Sequence, residues 1–338
     1  MAKAVRIHSY GAPEEMKWEE VELRSLEHGE ALVRIEAAAV NFLDVQMRRG
    51  DLVNHKFYKE KGGMTTELPL TIGSQAAGVI EGLAQGCPEG MKVGDRVMCF
   101  GGTGTYATHV ITASTRLMPI PAGLGVEQAA AVLTQGFLAY AFTHHAYPVR
   151  ACDWCLVQAA GGGLGMLLVQ MAKLCGGRVI GVVSSEKKAR AVREVGCDHV
   201  IVLSEHSGGS TAAAKEIRRL TGDEGVRVVY DGVGKDVFEM NLDSLGLGGY
   251  LIIFGQSSGF IPPLDLMRLQ EKGSLFVTRT NGLPYRKHWK AYEQLLLEWL
   301  DQDLLKVPIE GVYPMAEAAE VHRRFEQREA VGRMILVP

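Results

Sequence analysis

The residues with the clearest chemical content form the run Ala159-Ala160-Gly161-Gly162-Gly163-Leu164-Gly165. It continues an apolar stretch that begins at Cys155 and opens a helical pattern, Leu164–Leu174. Glycines at such a turn let the backbone come close to a pyrophosphate. The helix N-terminus offers free N–H groups and the positive end of a dipole. In isolation the run reads equally well as a plain glycine-rich turn. Its place within a series of strand–helix units is what points to a dinucleotide.

The next strand of that series, Arg178–Val183, runs into Ser184-Ser185 and then Glu186-Lys187-Lys188-Ala189-Arg190. A site for NAD carries an acid about 20 residues after the glycine loop, to bind the ribose 2′-hydroxyl. Ser184 stands there instead, and two lysines and an arginine follow. Hydroxyl and cationic partners suit a 2′-phosphate, so the sequence favours NADP over NAD.

Other reactive residue types form no comparable pattern. Six cysteines, at 87, 99, 152, 155, 175 and 197, are scattered as reduced thiols would be. Cys152-Asp153-Trp154-Cys155 is the one CxxC, and it reads as packing rather than metal or redox chemistry. His144-His145, at the end of a helical pattern, read as capping or surface residues. No Ser-Tyr-Lys or His-Asp constellation is present that would deprotonate an alcohol.

Two kinds of chain must position these groups. Up to about residue 120 the pattern is mainly β. Ala31–Ala38, Gly78–Ile80, Arg96–Phe100 and Tyr106–Ile111 are short apolar runs broken by Gly and Pro. A short helix after Asn41 carries Asp44, Met47 and Arg48, and the polar stretch Asp51–Glu67 reads as a long loop. From Val126 strands and helices alternate. Glu127–His144 is a helical pattern, and strands are expected at Cys155–Ala159, Arg178–Val183, His199–Leu203, Val226–Tyr230, Tyr250–Phe254 and Ser274–Thr278. These strands are continuously apolar, as in a parallel sheet covered on both faces. A long amphipathic helix, Lys287–Gln302, and a last strand, Arg333–Val337, follow, and the tail is expected to return to the first domain. The expected fold is α/β: a Rossmann-type doubly wound parallel sheet over 125–280, and a β-rich domain made of 1–124 and 281–338.

The 338 residues suit two domains. A formal charge of −3 gives no electrostatic footprint for nucleic acid. No apolar run is long enough for a membrane span. The opening MAKAVRIHSYG lacks a signal core, which points to the cytoplasm.

Six stretches go further: Val40-Asn41-Phe42-Leu43-Asp44, Gly94-Asp95-Arg96-Val97, the glycine loop, Val228–Gly234, Phe254–Gly259 and Lys272–Arg279. In these the chain, over nearly its whole length, resembles the zinc-free medium-chain dehydrogenase/reductases, in the quinone oxidoreductase (zeta-crystallin-like) branch. The resemblance implies a GroES-like catalytic domain, an active site in the cleft between domains, NADPH as cofactor, and a homodimer. It implies that Asn41 approaches the nicotinamide ribose or the substrate. Thr134 and Gln135 would lie on a helix facing the cleft. Gly161, Gly162, Gly163 and Leu164 would hold the diphosphate, and Ser184 and Lys188 the 2′-phosphate. Phe254, Ser257, Val277 and Arg279 would line the nicotinamide and diphosphate, with Arg333 nearby. The zinc relatives need a Cys at Asn41, a His-Glu pair at Ser74-Gln75 and a further Cys near Leu133-Thr134, and none is here. The family often has tyrosines at Gln46 and Leu52 and a tyrosine over the adenine at Leu203, and these too are absent. Tyr58 is the candidate to replace a missing cleft tyrosine.

The expected reaction is therefore hydride transfer from NADPH to a small electrophile, a quinone or an activated alkene such as an enone or 2-haloacrylate. Asn41, Gln135 and Tyr58 are the catalytic candidates. The alternative of another class is a cofactor-binding protein with a crystallin-like or RNA-binding role, against which the balanced charge weighs.

Overall fold

The computed structural model describes residues 1–51, 67–100, 104–205, 209–327 and 330–338. They group into two units, Met1–Thr134 with Ile309–Pro338, and Gln135–Pro308.

The first unit is made of short strands. They are β1 (Ala2–Ile7), β2 (Lys17–Val21), β3 (Glu30–Ala39), β4 (Leu70–Thr71), β5 (Gln75–Leu83), β6 (Arg96–Phe100), β7 (His109–Ala113) and β8 (Leu117–Pro119). From the end of the chain come β15 (Ile309–Pro314) and β16 (Arg333–Val337). Alternation sets the geometry. In β3, Ala31, Val33, Ile35 and Ala37 point into the core while Arg34 and Glu36 point out to pair with each other. Val5, Ile7, Ile72, Ile80 and Leu336 complete that core. Each such side chain contributes about 1.5–3 kcal/mol by leaving water. The larger sheet has the order β15-β16-β3-β5-β6-β8 with β7 also on β3, and a smaller sheet has the order β2-β1-β4. β16 runs antiparallel to the end of β3, with Ile335 opposite Ala39, and the Val40 N–H donates to the Met334 carbonyl at 3.0 Å. The tail of the chain is thereby fixed next to residues 40–41.

In the second unit β9 (Trp154–Val157), β10 (Arg178–Val183), β11 (His199–Val202), β12 (Val226–Asp231), β13 (Leu245–Ile253) and β14 (Phe276–Arg279) form one parallel sheet, ordered β11-β10-β9-β12-β13-β14. Helices Gly163–Leu174, Glu186–Glu194, Gly209–Leu220 and Phe238–Ser244 lie between successive strands. This is the doubly wound order whose direction reverses at the first strand, and the loops after β9 and β12 open at the reversal, where such sheets bind ligands. The strands are nearly continuously buried, and apolar side chains from strands and helices form one core.

Several elements depart from the sequence reading. The strand expected from Tyr106 begins at His109, because residues 106–108 pair with β1: the Val5 N–H donates to the Tyr106 carbonyl at 2.7 Å and the Thr108 N–H to the Lys3 carbonyl at 2.8 Å. The helix expected to reach His144 ends at Ala141 and widens into a π turn, Phe142–Ala146. The long helix starts at Trp289, after a 3-10 segment Leu283–His288, and the last strand of the sheet starts at Phe276.

Candidate active site and cofactor cradle

In the second unit the loop after β9 leads into the helix Gly163–Leu174. Gly162 is its N-cap and has no side chain to offer, and no acid sits in the first turn. The first N–H groups of this helix are left without a side-chain cap, which is the arrangement that takes a phosphate. Two glycines are dictated by contact. A Cβ on Gly165 would lie 2.3 Å from the Ala159 carbonyl oxygen, so only glycine lets helix and strand pack. A Cβ on Gly161 would lie 2.9 Å from the Cβ of Lys188. The aliphatic stem of Lys188 therefore rests on the glycine loop.

Ser184 follows β10 and is exposed; its carbonyl accepts from the Ser204 hydroxyl at 3.3 Å. Ser185 caps the helix Glu186–Glu194, its hydroxyl accepting from the Lys188 N–H at 3.5 Å. Gly161, Lys188 and Ser184 are thus gathered at adjoining strand ends. Leu203 opens a 3-10 turn after β11.

The loops after β12 and β13 fold onto each other. The Phe254 N–H donates to the Asp231 carbonyl at 2.9 Å, and the Ser257 N–H to Gly232 at 3.2 Å. The Phe254 ring stacks on Phe142, with centroids 5.4 Å apart. Arg279, at the end of β14, donates to the Gly255 carbonyl at 3.0 Å, and Val277 pairs in register with Leu251. Beneath these loops lies a buried chain that sequence reasoning missed. Gln158 donates to Asn241 at 2.6 Å, and Asn241 to the Asp231 carboxylate at 3.0 Å. Asp231 also accepts from the Val233 and Gly234 N–H groups at 2.7 and 3.1 Å. Burial pushes its carboxyl up to about 6, against the pull of those N–H groups, Arg279 and Asn241. The signal available was the polar Asp231 at the end of an apolar strand.

In the first unit a polar cluster surrounds the start of the helix Phe42–Arg49. The Asn41 amide donates toward Ser74 Oγ at 3.3 Å and Gln75 Oε1 at 3.4 Å. Arg333 Nη2 donates to Asn41 Oδ1 at 3.2 Å. The Gln75 amide in turn donates to the Ala130 carbonyl. Asp44 Oδ2 accepts from the Asn41 N–H at 2.8 Å and from Tyr106 at 3.0 Å, and the Tyr106 hydroxyl meets His322 Nε2 at 3.2 Å. Asp44, Tyr106, His322 and Arg333 are buried. Burial raises the Asp44 carboxyl to about 6, against the Ser74 hydroxyl, the Asn41 N–H, Tyr106 and Arg333. Burial lowers Arg333 to about 10, with Asp44 opposing. Asn41 thus bonds to both Ser74 and Gln75, which with it stand at three of the positions where zinc relatives carry ligands.

Thr134 and Gln135 are half-buried on the helix Val126–Ala141, and as successive residues they do not share a face. Thr134 Oγ1 is buried with no hydrogen-bond partner. Within the second unit, the uncapped helix end and the side-chain-free loop at Gly161–Gly163 fit a dinucleotide. Gln46 is half-buried on its helix. Tyr58 and Leu52 lie outside the described residues.

Cys155 is buried, but Cys152 is exposed on a turn at φ 69°, so only half of the CxxC packs. His144 caps the helix end as expected, its Nδ1 lying 3.2 Å from the Tyr140 carbonyl oxygen, and both histidines are half-buried. His144 stacks on Tyr140 with its Nε2 3.6 Å from Cys175 Sγ, and His145 stacks on His288 at 3.6 Å between ring centroids.

Comparison with known proteins agrees with this architecture. The family described as zinc-binding dehydrogenase matches residues 163–301, and the alcohol dehydrogenase GroES-like domain matches residues 27–122. The chain is 32% identical to a 2-haloacrylate reductase from a Burkholderia species, covering 100% of this chain and 99% of that protein. It is 32% identical to a quinone oxidoreductase from Pseudomonas aeruginosa, with 100% of each chain covered. Among solved structures, Escherichia coli quinone oxidoreductase complexed with NADPH superposes with a TM-score of 0.90 at 29% identity, covering 99% of this chain and 100% of that one.

Proposed function

The chain belongs to the quinone oxidoreductase family of the medium-chain dehydrogenase/reductases, and on that premise we propose that it uses NADPH, without zinc, to reduce a quinone or a similar electron-poor small molecule. The observation that carries the cofactor reading is the Lys188 stem laid across Gly161 beside Ser184 and an uncapped helix end. Bound NADPH supplies hydride to an electrophilic carbon, and the protein supplies binding and orientation.

Gly161, Gly162, Gly163 and Leu164 bind the diphosphate through backbone N–H groups. Lys188 and Ser184 bind the 2′-phosphate. Phe254, Ser257, Val277 and Arg279 would line the nicotinamide and diphosphate; Thr134 and Arg333 are further cofactor-binding candidates. Asn41 and Gln135 orient substrate and ribose. A proton follows the hydride. Gln46 cannot supply it, so water does, with Tyr58 as the competing donor.

An alkene reductase is the nearest alternative, and one relative is named for a 2-haloacrylate. The zinc-free reading is supported by Asn41 donating to both Ser74 and Gln75, which occupies the oxygens a metal would need. A homodimer is supported by β14, an edge strand, and by exposed Leu247, Leu266, Met267 and Phe276 on β13, β14 and the helix between them. Six free cysteines fit a cytoplasmic setting, and among the described residues no helix is long and apolar enough to cross a membrane. The deciding experiment is NADPH turnover against a panel of quinones, enones and 2-haloacrylates, before and after chelation. Turnover of a quinone at an undiminished rate after chelation is the expected result. Activity on none of the panel, or activity that returns only with zinc, overturns the reading.

A further inference from the structure

Asp44, Tyr106 and His322 are buried and hydrogen-bonded in a row, and no step above uses them. We propose that Asp44 is a positioning residue for Asn41, acting on its backbone and on its side chain at once. The Asp44 carboxylate accepts the Asn41 N–H at 2.8 Å, which fixes the start of the helix. Its charge also balances the buried Arg333 guanidinium, whose Nη2 holds the Asn41 amide oxygen at 3.2 Å. Arg333 Nε has no hydrogen-bond partner, so the guanidinium has little else to anchor it. Without the carboxylate charge the guanidinium loses an attraction that opposes the cost of its burial. The Asn41 amide then loses its orientation. This inference rests on the assignment of Asn41 to the substrate or ribose.

The charged and titratable groups around Asp44 leave it as the one that switches near neutral pH. From β16 there is Arg333, ionised until about 10. From the segment before β7 there is Tyr106, held well above its usual value by burial and by Asp44. From the helix Ala318–Glu326 there is His322, kept neutral down to about 3 by burial and by Arg48. From the next turn of its own helix there is Arg48, paired with Glu326 at 2.7 Å. Ser74 is neutral. Asp44 has a folded-state value raised to about 6, so it is ionised above that pH and neutral below. Positioning is present at pH 7–8 and lost as the pH falls through about 6.

The test is the pH dependence of kcat and KM for the full chain with NADPH and 1,4-benzoquinone, in the parent, Asp44→Asn, Asn41→Ala, the double variant and Tyr106→Phe. In the parent, kcat should fall below about pH 6. Asp44→Asn should be about tenfold slower at pH 8, the scale of one hydrogen bond to a charged group, with a flat profile and a smaller change in KM. Added to Asn41→Ala, it should cost no more than about twofold, since contacting residues that act as a unit are not additive. Tyr106→Phe removes a donor to the carboxylate and should move the acid limb to higher pH. An acid limb that persists in Asp44→Asn, or full additivity with Asn41→Ala, overturns the proposal. If Asp44→Asn does not fold, an acid limb unmoved in Tyr106→Phe overturns it. An Asn41→Ala enzyme with parent activity overturns the assignment of Asn41, and with it the route through which Asp44 acts.

Discussion

Removing the Lys188 ammonium should separate NADPH from NADH. Lys188 has two roles in the structure: its stem covers Gly161 and its backbone N–H is capped by Ser185. Truncation to alanine strips the stem off the loop as well as removing the charge, whereas Lys188→Met keeps most of the stem and removes only the charge. A hydrogen bond to a charged group is worth about 1.5–3 kcal/mol, and each 1.4 kcal/mol is tenfold. The KM for NADPH should therefore rise roughly 10- to 150-fold in Lys188→Met. The KM for NADH, which has no 2′-phosphate, should move about twofold or less, because loop packing is common to both cofactors and cancels in the ratio. The assay is initial-rate NAD(P)H oxidation at 340 nm with 1,4-benzoquinone, at two salt concentrations. The ratio should shrink at high salt if a partly exposed charge carries it. Equal losses with both cofactors, or a parent enzyme that prefers NADH, would refute the assignment of Ser184 and Lys188.

Gly165→Ala should lower the melting temperature, since its Cβ would lie 2.3 Å from the Ala159 carbonyl oxygen and 2.8 Å from Ala160 Cα. Overpacking of this kind costs about 1–3 kcal/mol, and an unchanged melting temperature would count against the helix–strand contact. Asp231 has a folded-state value raised to about 6, so its stabilising contribution is complete below the unfolded value of 3.8 and is lost as pH rises through 6. Asp231→Asn should accordingly gain on the parent between pH 4 and pH 8 in chemical denaturation, by up to about 3 kcal/mol; a difference independent of pH rejects the buried-carboxyl account. Light scattering should give twice the 36.8 kDa chain mass, and Phe276→Glu, on the exposed edge strand, should halve it. Tyr58→Phe should leave turnover within a few-fold, whereas a loss of ~100-fold or more, the usual scale for a general acid, would show that Tyr58 and not water delivers the proton.

The cofactor half of the molecule was legible because its signals are local. A buried parallel strand is a continuous apolar run, and the glycine loop sits within a few residues of the strand and helix it joins. Even Lys188 could be placed, since Ser184 and the loop belong to neighbouring strands of a known order. The polar cluster was legible only in part. Asn41 and Arg333 are 292 residues apart, and they meet because β16 pairs with the end of β3. Sequence separation gives no hint of that register. Tyr106 was read as the start of the strand that follows it, but its backbone pairs with β1 and Ile72 while its hydroxyl reaches Asp44, partners that its own neighbours in sequence do not reveal. His144-His145 end a helical pattern, and His144 caps it as that position suggests. The periodicity cannot show that the last turn widens or that His145 stacks on His288, which lies in a distant segment of the chain.

The composition of the polar cluster bears on the choice of substrate. A zinc site polarises an oxygen, so that an ordinary ketone or alcohol can exchange hydride. At the matching positions this chain carries an amide, a hydroxyl and another amide, and their donors and acceptors are engaged with one another and with Arg333 and Ala130. Such a cluster can orient a substrate with a hydrogen bond but cannot lower the pKa of a bound alcohol. On the proposed zinc-free reading, the electron sink then lies in the substrate. A quinone meets that demand by becoming aromatic, and an enone by delocalising charge onto its carbonyl oxygen. A saturated ketone has no such reserve. Orientation is worth most when the substrate already carries the reactivity, and a network that fixes Asn41 from both its backbone and its side chain is built to supply orientation.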